Sequence, residues 1–315
     1  MTKFFEKIPY VEQHGKPVKA GDESYDLVYF RWQISDICQY ECSYCTVQND
    51  ATVNFKRSII DLVLKRLERY DGPFQLEMFG GEPTTHPDLI YAVEQLTKME
   101  NCVKVEILTN LRRSLTYFHQ LDIPGGKVFL TPSYHPEYHK WGYLEKCIAL
   151  DKDYKHTKLV PYIMLSDNTD FWDLTEEVIK GLEENNIVHE TTTLMSTADY
   201  KVRYTDEFYK RFGDKIITNG MYSFRYEFED GHVERIPQES VVHEEMYFFK
   251  GYKCKPLMHD IDLVGNFSNT CFPKENLGIF FNKEQLTRQR VCPVECCQCD
   301  VMYDYYKELC YTENY

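Results

Sequence analysis

From residue 25 to residue 194 the chain alternates between two hydrophobic periods. Stretches rich in β-branched and aromatic residues read as strands over 25–35, 74–79, 102–109, 127–133, 158–165 and 187–194. Between them, apolar residues at helical spacing predict helices over 58–70, 87–99, 114–121, 136–151 and 171–186. The punctuation agrees: Asp71-Gly72-Pro73 closes the first helix and Pro87 opens the second. Pro161, inside the fifth strand, removes a ladder donor and weakens that prediction. Such alternation implies a parallel sheet with crossover helices. An open doubly wound sheet and a full or partial β/α barrel both satisfy it. Beyond about residue 215 the alternation stops; 221–272 reads as short strands and hairpins, and 283–290 and 300–311 as helices. The expected division is an N-terminal extension (1–24), an α/β body (25–215) and a small Cys-rich α+β C-terminal domain (216–315).

Composition narrows the function classes. A hydrophobic content of 43% supports a packed core. No apolar run approaches the roughly 20 residues of a membrane span, and the charged start is no signal peptide. The net charge of −14 argues against a general nucleic-acid or anionic-membrane binder. Twelve cysteines without a secretory signal point to a reducing, cytoplasmic setting, where clustered cysteines hold metal more often than they form disulfides. Cys38, Cys42 and Cys45 form one cluster. Cys254, Cys271, Cys292, Cys296, Cys297, Cys299 and Cys310 crowd the other end. Cys102 and Cys147 stand between and read as buried apolar thiols.

The first cluster has the spacing C-x3-C-x2-C and follows the first strand directly. Three thiolates in one tight loop can hold three corners of a 4Fe–4S cluster, leaving one iron open, because no fourth cysteine is nearby. A zinc site with a distant fourth ligand is the alternative. Gly80-Gly81-Glu82-Pro83 ends the second strand; the glycines permit close backbone approach to a ligand, and Glu82 offers an acceptor for an ammonium group. Thr109-Asn110 ends the third strand, and Ser133-Tyr134-His135 ends the fourth. All four features thus fall at the C-terminal ends of successive parallel strands, the face that carries the active site of a β/α barrel.

The Cys loop, with Tyr44 before its last cysteine, and the GGEP motif together resemble the radical S-adenosylmethionine (SAM) superfamily. The resemblance implies a partial (β/α)6 TIM-type barrel and reductive cleavage of SAM to a 5′-deoxyadenosyl radical that abstracts hydrogen from the substrate. It implies that Cys38, Cys42 and Cys45 hold the cluster and that Tyr44 lies against the adenine. Gly80, Gly81 and Glu82 would receive the methionine amino group, Thr109 and Asn110 the ribose or carboxylate, and Ser133 a further polar part of SAM. His135 is a candidate substrate contact. The cofactor supplies the chemistry, so no Ser-His-Asp set or carboxylate pair is required. A one-electron reductant such as flavodoxin or ferredoxin is the implied partner.

Cys254 and Cys271 flank a hairpin that turns at Gly265-Asn266, followed by the Cys-dense run 292–299. This is similar, in part, to the twitch and SPASM auxiliary-cluster domains, although five residues separate Gly265 from Cys271 where the SPASM pattern sets its glycine closer. One auxiliary 4Fe–4S cluster is implied, on Cys254, Cys271, Cys296 and Cys299, with Cys292 and Cys297 as alternatives. A zinc ribbon is the competing reading. For the substrate, a small polar molecule (sugar, nucleoside or amino acid derivative) is favoured over a peptide, since only about 24 residues precede the first strand, too few for a leader-binding domain. The reading from another class is a non-catalytic iron–sulfur or zinc protein.

Overall fold

The computed structural model describes residues 10–45, 55–194, 204–218, 223–237, 240–241, 244, 246–277, 281–293, 297 and 306–309. Its first body is a parallel sheet. Strands β2 (Val28–Ser35), β3 (Phe74–Gly80), β4 (Cys102–Thr109), β5 (Val128–Tyr134), β7 (Tyr162–Leu165) and β8 (Glu190–Thr193) lie side by side in sequence order. The crossover helices are α2 (Arg57–Glu68), α3 (Leu89–Lys98), α4 (Leu115–His119), α5 (Tyr143–Asp153) and α6 (Trp172–Glu184). This is the expected α/β alternation. The sheet is open, and β8 pairs only with β7 among the described residues.

The two faces of the sheet follow from side-chain alternation. Phe30, Trp32, Leu76, Met78, Val105, Ile107 and Leu130 are buried. They share a core with Ile60, Val63, Leu64 and Leu67, the helical-spaced stripe of α2. Deleting the Leu67 side chain to alanine would cost about 2–5 kcal/mol. The opposite face is polar. Tyr29 Oη donates to Glu77 (2.5 Å), Thr131 Oγ1 to Glu106 (2.9 Å), and Lys104 Nζ to the other oxygen of Glu106 (2.7 Å).

Local chemistry moved several boundaries. The expected strand 158–165 is divided at Val160-Pro161 into β6 (Lys158–Leu159) and β7, both paired to β5. The expected helix 136–151 begins later: Pro136–Trp141 is a 3-10 turn, Gly142 is left-handed at φ 65°, and α5 starts after it. The expected helix over 300–311 is corrected at its described residues, because Lys307–Leu309 is strand β16. Likewise 283–290 is helical only over Lys283–Thr287 (α8), and Arg290–Val291 is β15. Cross-strand partners override local propensity at both places.

The C-terminal segment serves two sheets. β12 (Met258–Ile261) adds to the parallel sheet beside β2, and the hairpin β12–β13 (Phe267–Asn269) turns through Gly265 at φ 82°, as expected. β14 (Phe272–Asn276) follows on β13. The second sheet has the order β10–β9–β1–β16–β11–β15, built from β1 (Pro17–Ala20), β9 (Ser223–Phe228), β10 (Val233–Pro237) and β11 (Tyr252–Cys254) with β15 and β16. The N-terminal strand therefore sits inside a sheet otherwise made by residues after 222. Two further helices are α1 (Tyr10–His14) and α7 (Asp206–Thr218), α7 running across position 215.

Candidate active site

The Cys loop leaves β2 at Ser35, and the GGEP segment leaves β3 alongside it. Gly81 N–H donates to Ser35 O (2.9 Å) and Glu82 N–H to Ile37 O (2.8 Å). A Cβ on Gly80, which has φ 144°, would stand 1.9 Å from Ser35 O, and one on Gly81 2.6 Å from Ile37 O. The glycines thus admit the backbone of the Cys loop itself.

Glu82 is 1% exposed and joins β3 to β4. Its Oε1 accepts from Thr84 N–H (3.1 Å), Thr84 Oγ1 (2.6 Å) and Thr109 Oγ1 (2.7 Å), and its Oε2 from Asn110 N–H (2.6 Å). Burial pushes its pKa up against the pull of these donors. Only Oε2 keeps acceptor capacity for an ammonium group. The Asn110 side chain is also committed to the loop: Nδ2 lies 3.2 Å from Gln39 Oε1 and 3.7 Å from Cys38 Sγ.

A third segment, after β5, closes over the loop. Tyr44 Oη is 2.8 Å from His135 Nδ1, with Cys42 Sγ 3.6 Å from the same nitrogen. Ser43 N–H donates to Glu137 Oε2 (3.1 Å), Ser43 Oγ also donates to Glu137, and Glu41 N–H donates to Tyr138 Oη (2.8 Å). Burial lowers the His135 pKa to about 4, raises Cys42 to about 11 and raises Cys38 and Tyr44. One pocket brings Asn110, Ser133 and His135 together with Tyr40, Tyr138 and Tyr143. Glu137, Tyr138 and Gln39 were not singled out from the sequence; polar residues after a strand are common, and nothing local marks these three.

The loop suits a group bound by three thiolates. Cys38 and Cys42 are partly buried, Cys45 is exposed, and none of the three is in a disulfide. Burial raises the thiol pKa of Cys38 and Cys42, so a metal must displace their protons as it binds. Among the described residues no three Cys, His, Asp or Glu side chains are grouped to hold a metal ion. In the C-terminal region Cys254, Cys271, Cys292 and Cys297 are buried and are not in disulfides. Cys296, Cys299 and Cys310 lie outside the described residues. Cys102 and Cys147 are fully buried among apolar residues. No described helix is long and apolar enough to cross a membrane.

No family model matches the chain. It is 31% identical over 124 residues to the GTP 3′,8-cyclase of Haemophilus ducreyi, covering 34% of this chain and 36% of that protein. It is 28% identical over 109 residues to molybdenum cofactor biosynthesis protein 1 of Bos taurus, covering 32% and 17%. The matched region thus spans about a third of the first relative's length and less of the second's. SuiB of Streptococcus suis bound to S-adenosylmethionine superposes with a TM-score of 0.54 at 14% identity, over 83% of this chain and 63% of that one. Native anSMEcpe with bound AdoMet and the Cp18Cys peptide gives 0.54 at 14% identity, over 82% and 80%. At these identities the likeness to solved structures is one of fold.

Proposed function

We propose that the chain is a radical SAM enzyme that cleaves SAM reductively and turns the resulting radical on a small polar substrate. The single observation that carries the reading is the way three strand ends converge on one loop. Gly81 and Glu82 bond to the backbone at Ser35 and Ile37, Asn110 reaches Cys38, and His135 reaches Cys42 and Tyr44. An electron-transfer or zinc protein has no need of such a pocket beside its thiols.

In this reading Cys38, Cys42 and Cys45 hold a 4Fe–4S cluster with one open iron. Bound together, the cluster and SAM supply one-electron cleavage of the sulfonium to methionine and a 5′-deoxyadenosyl radical that takes hydrogen from the substrate. The protein positions and excludes. Gly80, Gly81 and the free side of Glu82 Oε2 would receive the methionine ammonium, Ser133 and Asn110 would supply polar contacts, and Tyr44 would take the adenine. His135, neutral near pH 7, is a polar wall of the same pocket. A flavodoxin or ferredoxin delivers the electron. An auxiliary 4Fe–4S cluster in the C-terminal region assists electron transfer or substrate binding.

The likeness to GTP 3′,8-cyclase supports the small-molecule class, nucleosides included. The test is anaerobic incubation of dithionite-reduced full chain with SAM. 5′-Deoxyadenosine should form, and Cys42→Ala should abolish it; none from the reduced parent refutes the reading. Stimulation by peptides alone, with none by nucleotides, sugars or amino acid derivatives, would move the substrate to the peptide class.

A further inference from the structure

One carboxylate on the polar face of the parallel sheet has an oxygen with nothing to bind. Ser133, near the C-terminal end of β5, stands across from Tyr162 of β7, and Tyr162 across from Glu190 of β8. With strands about 4.8 Å apart, Glu190 is about 10 Å from Ser133 along that row. Tyr162 hydrogen-bonds the Glu190 carboxylate. Glu190 Oε2 is buried and has no hydrogen-bond partner among the described residues. The carboxylate also feels Glu106 and Lys104, so it looks into the same polar space as they do. Burial raises its pKa, the Tyr162 bond lowers it, and Glu106 raises it against the weaker pull of Lys104.

The charges of this face decide what the open oxygen can receive. Asp260, Arg31, Glu77 and Glu106 stand in register across β12, β2, β3 and β4. Arg31 Nε lies 3.5 Å from Asp260 Oδ1, and Lys104 Nζ bonds to Glu106 at 2.7 Å. Lys104 and Lys158 lie 4.5 Å and 5.0 Å from the centre of the Phe129 ring. Among the described residues, four carboxylates with Glu190 thus meet three cations, and Arg31 and Lys104 are each committed to one of them. A phosphate chain would have to break those pairs. A hydroxyl would satisfy Oε2 and leave the charge of the carboxylate, whereas an ammonium group satisfies the oxygen and offsets the charge. We propose that Glu190, held by Tyr162, receives an ammonium group of the substrate, so that the substrate is a primary amine such as an amino sugar or an amino acid derivative and not a nucleotide. The inference rests on the proposed radical SAM reading and narrows its substrate class.

The test uses the full chain, anaerobically reconstituted with iron and sulfide and reduced with dithionite in the presence of SAM. D-Glucosamine and L-lysine are each set beside a counterpart without that amine, D-glucose and L-norleucine, with GTP as the nucleotide. 5′-Deoxyadenosine should rise above the SAM-only level with an amine and not with its counterpart or GTP. In Glu190→Gln the KM for that amine should rise about 30-fold or more with kcat little changed, and Glu190→Asp should recover part of the loss. Stimulation by GTP, equal stimulation by the counterparts, or none by either amine overturns the amine class. An unchanged KM in Glu190→Gln overturns the role of the residue. Without ligand, Glu190→Gln should unfold at or above the parent's temperature, because it neutralises a buried carboxylate with an unpaired oxygen. A marked fall in Tm would make Glu190 a structural residue and overturn the proposal. If no 5′-deoxyadenosine forms under any condition, SAM cleavage itself is refuted, and calorimetry with the same amines decides the site: binding by the parent that is lost in Glu190→Gln upholds it, and no binding overturns it.

Discussion

Tyr40 and Tyr138 lie face to face, ring centroids 4.0 Å apart and 2° from parallel. One belongs to the Cys loop, the other to the turn after β5, and the stack joins segments nearly a hundred residues apart. With the Glu137 and His135 contacts it forms a brace between the Cys loop and the segment after β5.

Glu137→Gln should leave the fold intact and loosen this brace. The bonds from Ser43 are solvent-exposed, so the stability cost is about 1 kcal/mol or less. Iron–sulfur loading of the Cys38 loop should slow several-fold, measured by visible absorbance during anaerobic reconstitution. Loading at the parent rate would show that the loop orders itself without the brace.

Gly80→Ala should be among the most damaging small substitutions in the chain. The new methyl meets a carbonyl oxygen at 1.9 Å, on backbone that cannot swing away. A loss of more than about 2 kcal/mol is expected, together with loss of SAM cleavage. Urea unfolding with a midpoint close to the parent's would disprove the close approach of β3 to the Cys loop.

Glu82→Gln replaces an acceptor by an amide whose NH2 group must face Asn110 N–H or the Thr84 and Thr109 donors. A cost of about 1–3 kcal/mol is expected from the unsatisfied buried groups. Thermal unfolding should read it, and SAM binding by calorimetry should weaken with it. An unperturbed Tm would contradict the stapling role of the carboxylate.

His259 should make stability fall in mild acid. It is 1% exposed, packs against Phe30 at 5.9 Å, and its pKa is lowered to about 3, chiefly by burial. The unfolded chain binds this proton near pH 6.5 and the folded chain does not, so stability is full above 6.5 and is lost as pH falls toward 3. Between pH 7 and pH 5 the loss is about 2 kcal/mol. Urea titrations at both pH values should show it in the parent and not in His259→Phe; equal slopes in the two proteins would refute it.

Much of the body was legible because its signals are local. Helical spacing in α2 and α6 and the alternating strands β2 to β5 announce themselves within a dozen residues. The Cys loop and GGEP motif are contiguous, and their place at strand ends follows from the alternation alone. Less was legible where one residue has two readings. Glu82 looked like a ligand acceptor and is spent equally on Thr84 and on the end of β4. His135 looked like a substrate contact and also touches the Cys loop.

The sequence by itself determined the strand–helix order, the grouping of three cysteines in one loop, and the family resemblance these carry. Only the tertiary structure decided that β1 pairs with β9 and β16, that β12 extends the sheet at β2, and that Lys307 faces Cys254. The physical reason is range. Periodicity says which face of an element is buried but not which edge it meets. Tyr10 and Glu244, bonded across 234 positions, leave no mark on each other's neighbours in the chain. Such partners are chosen by the summed packing and hydrogen bonding of the whole fold.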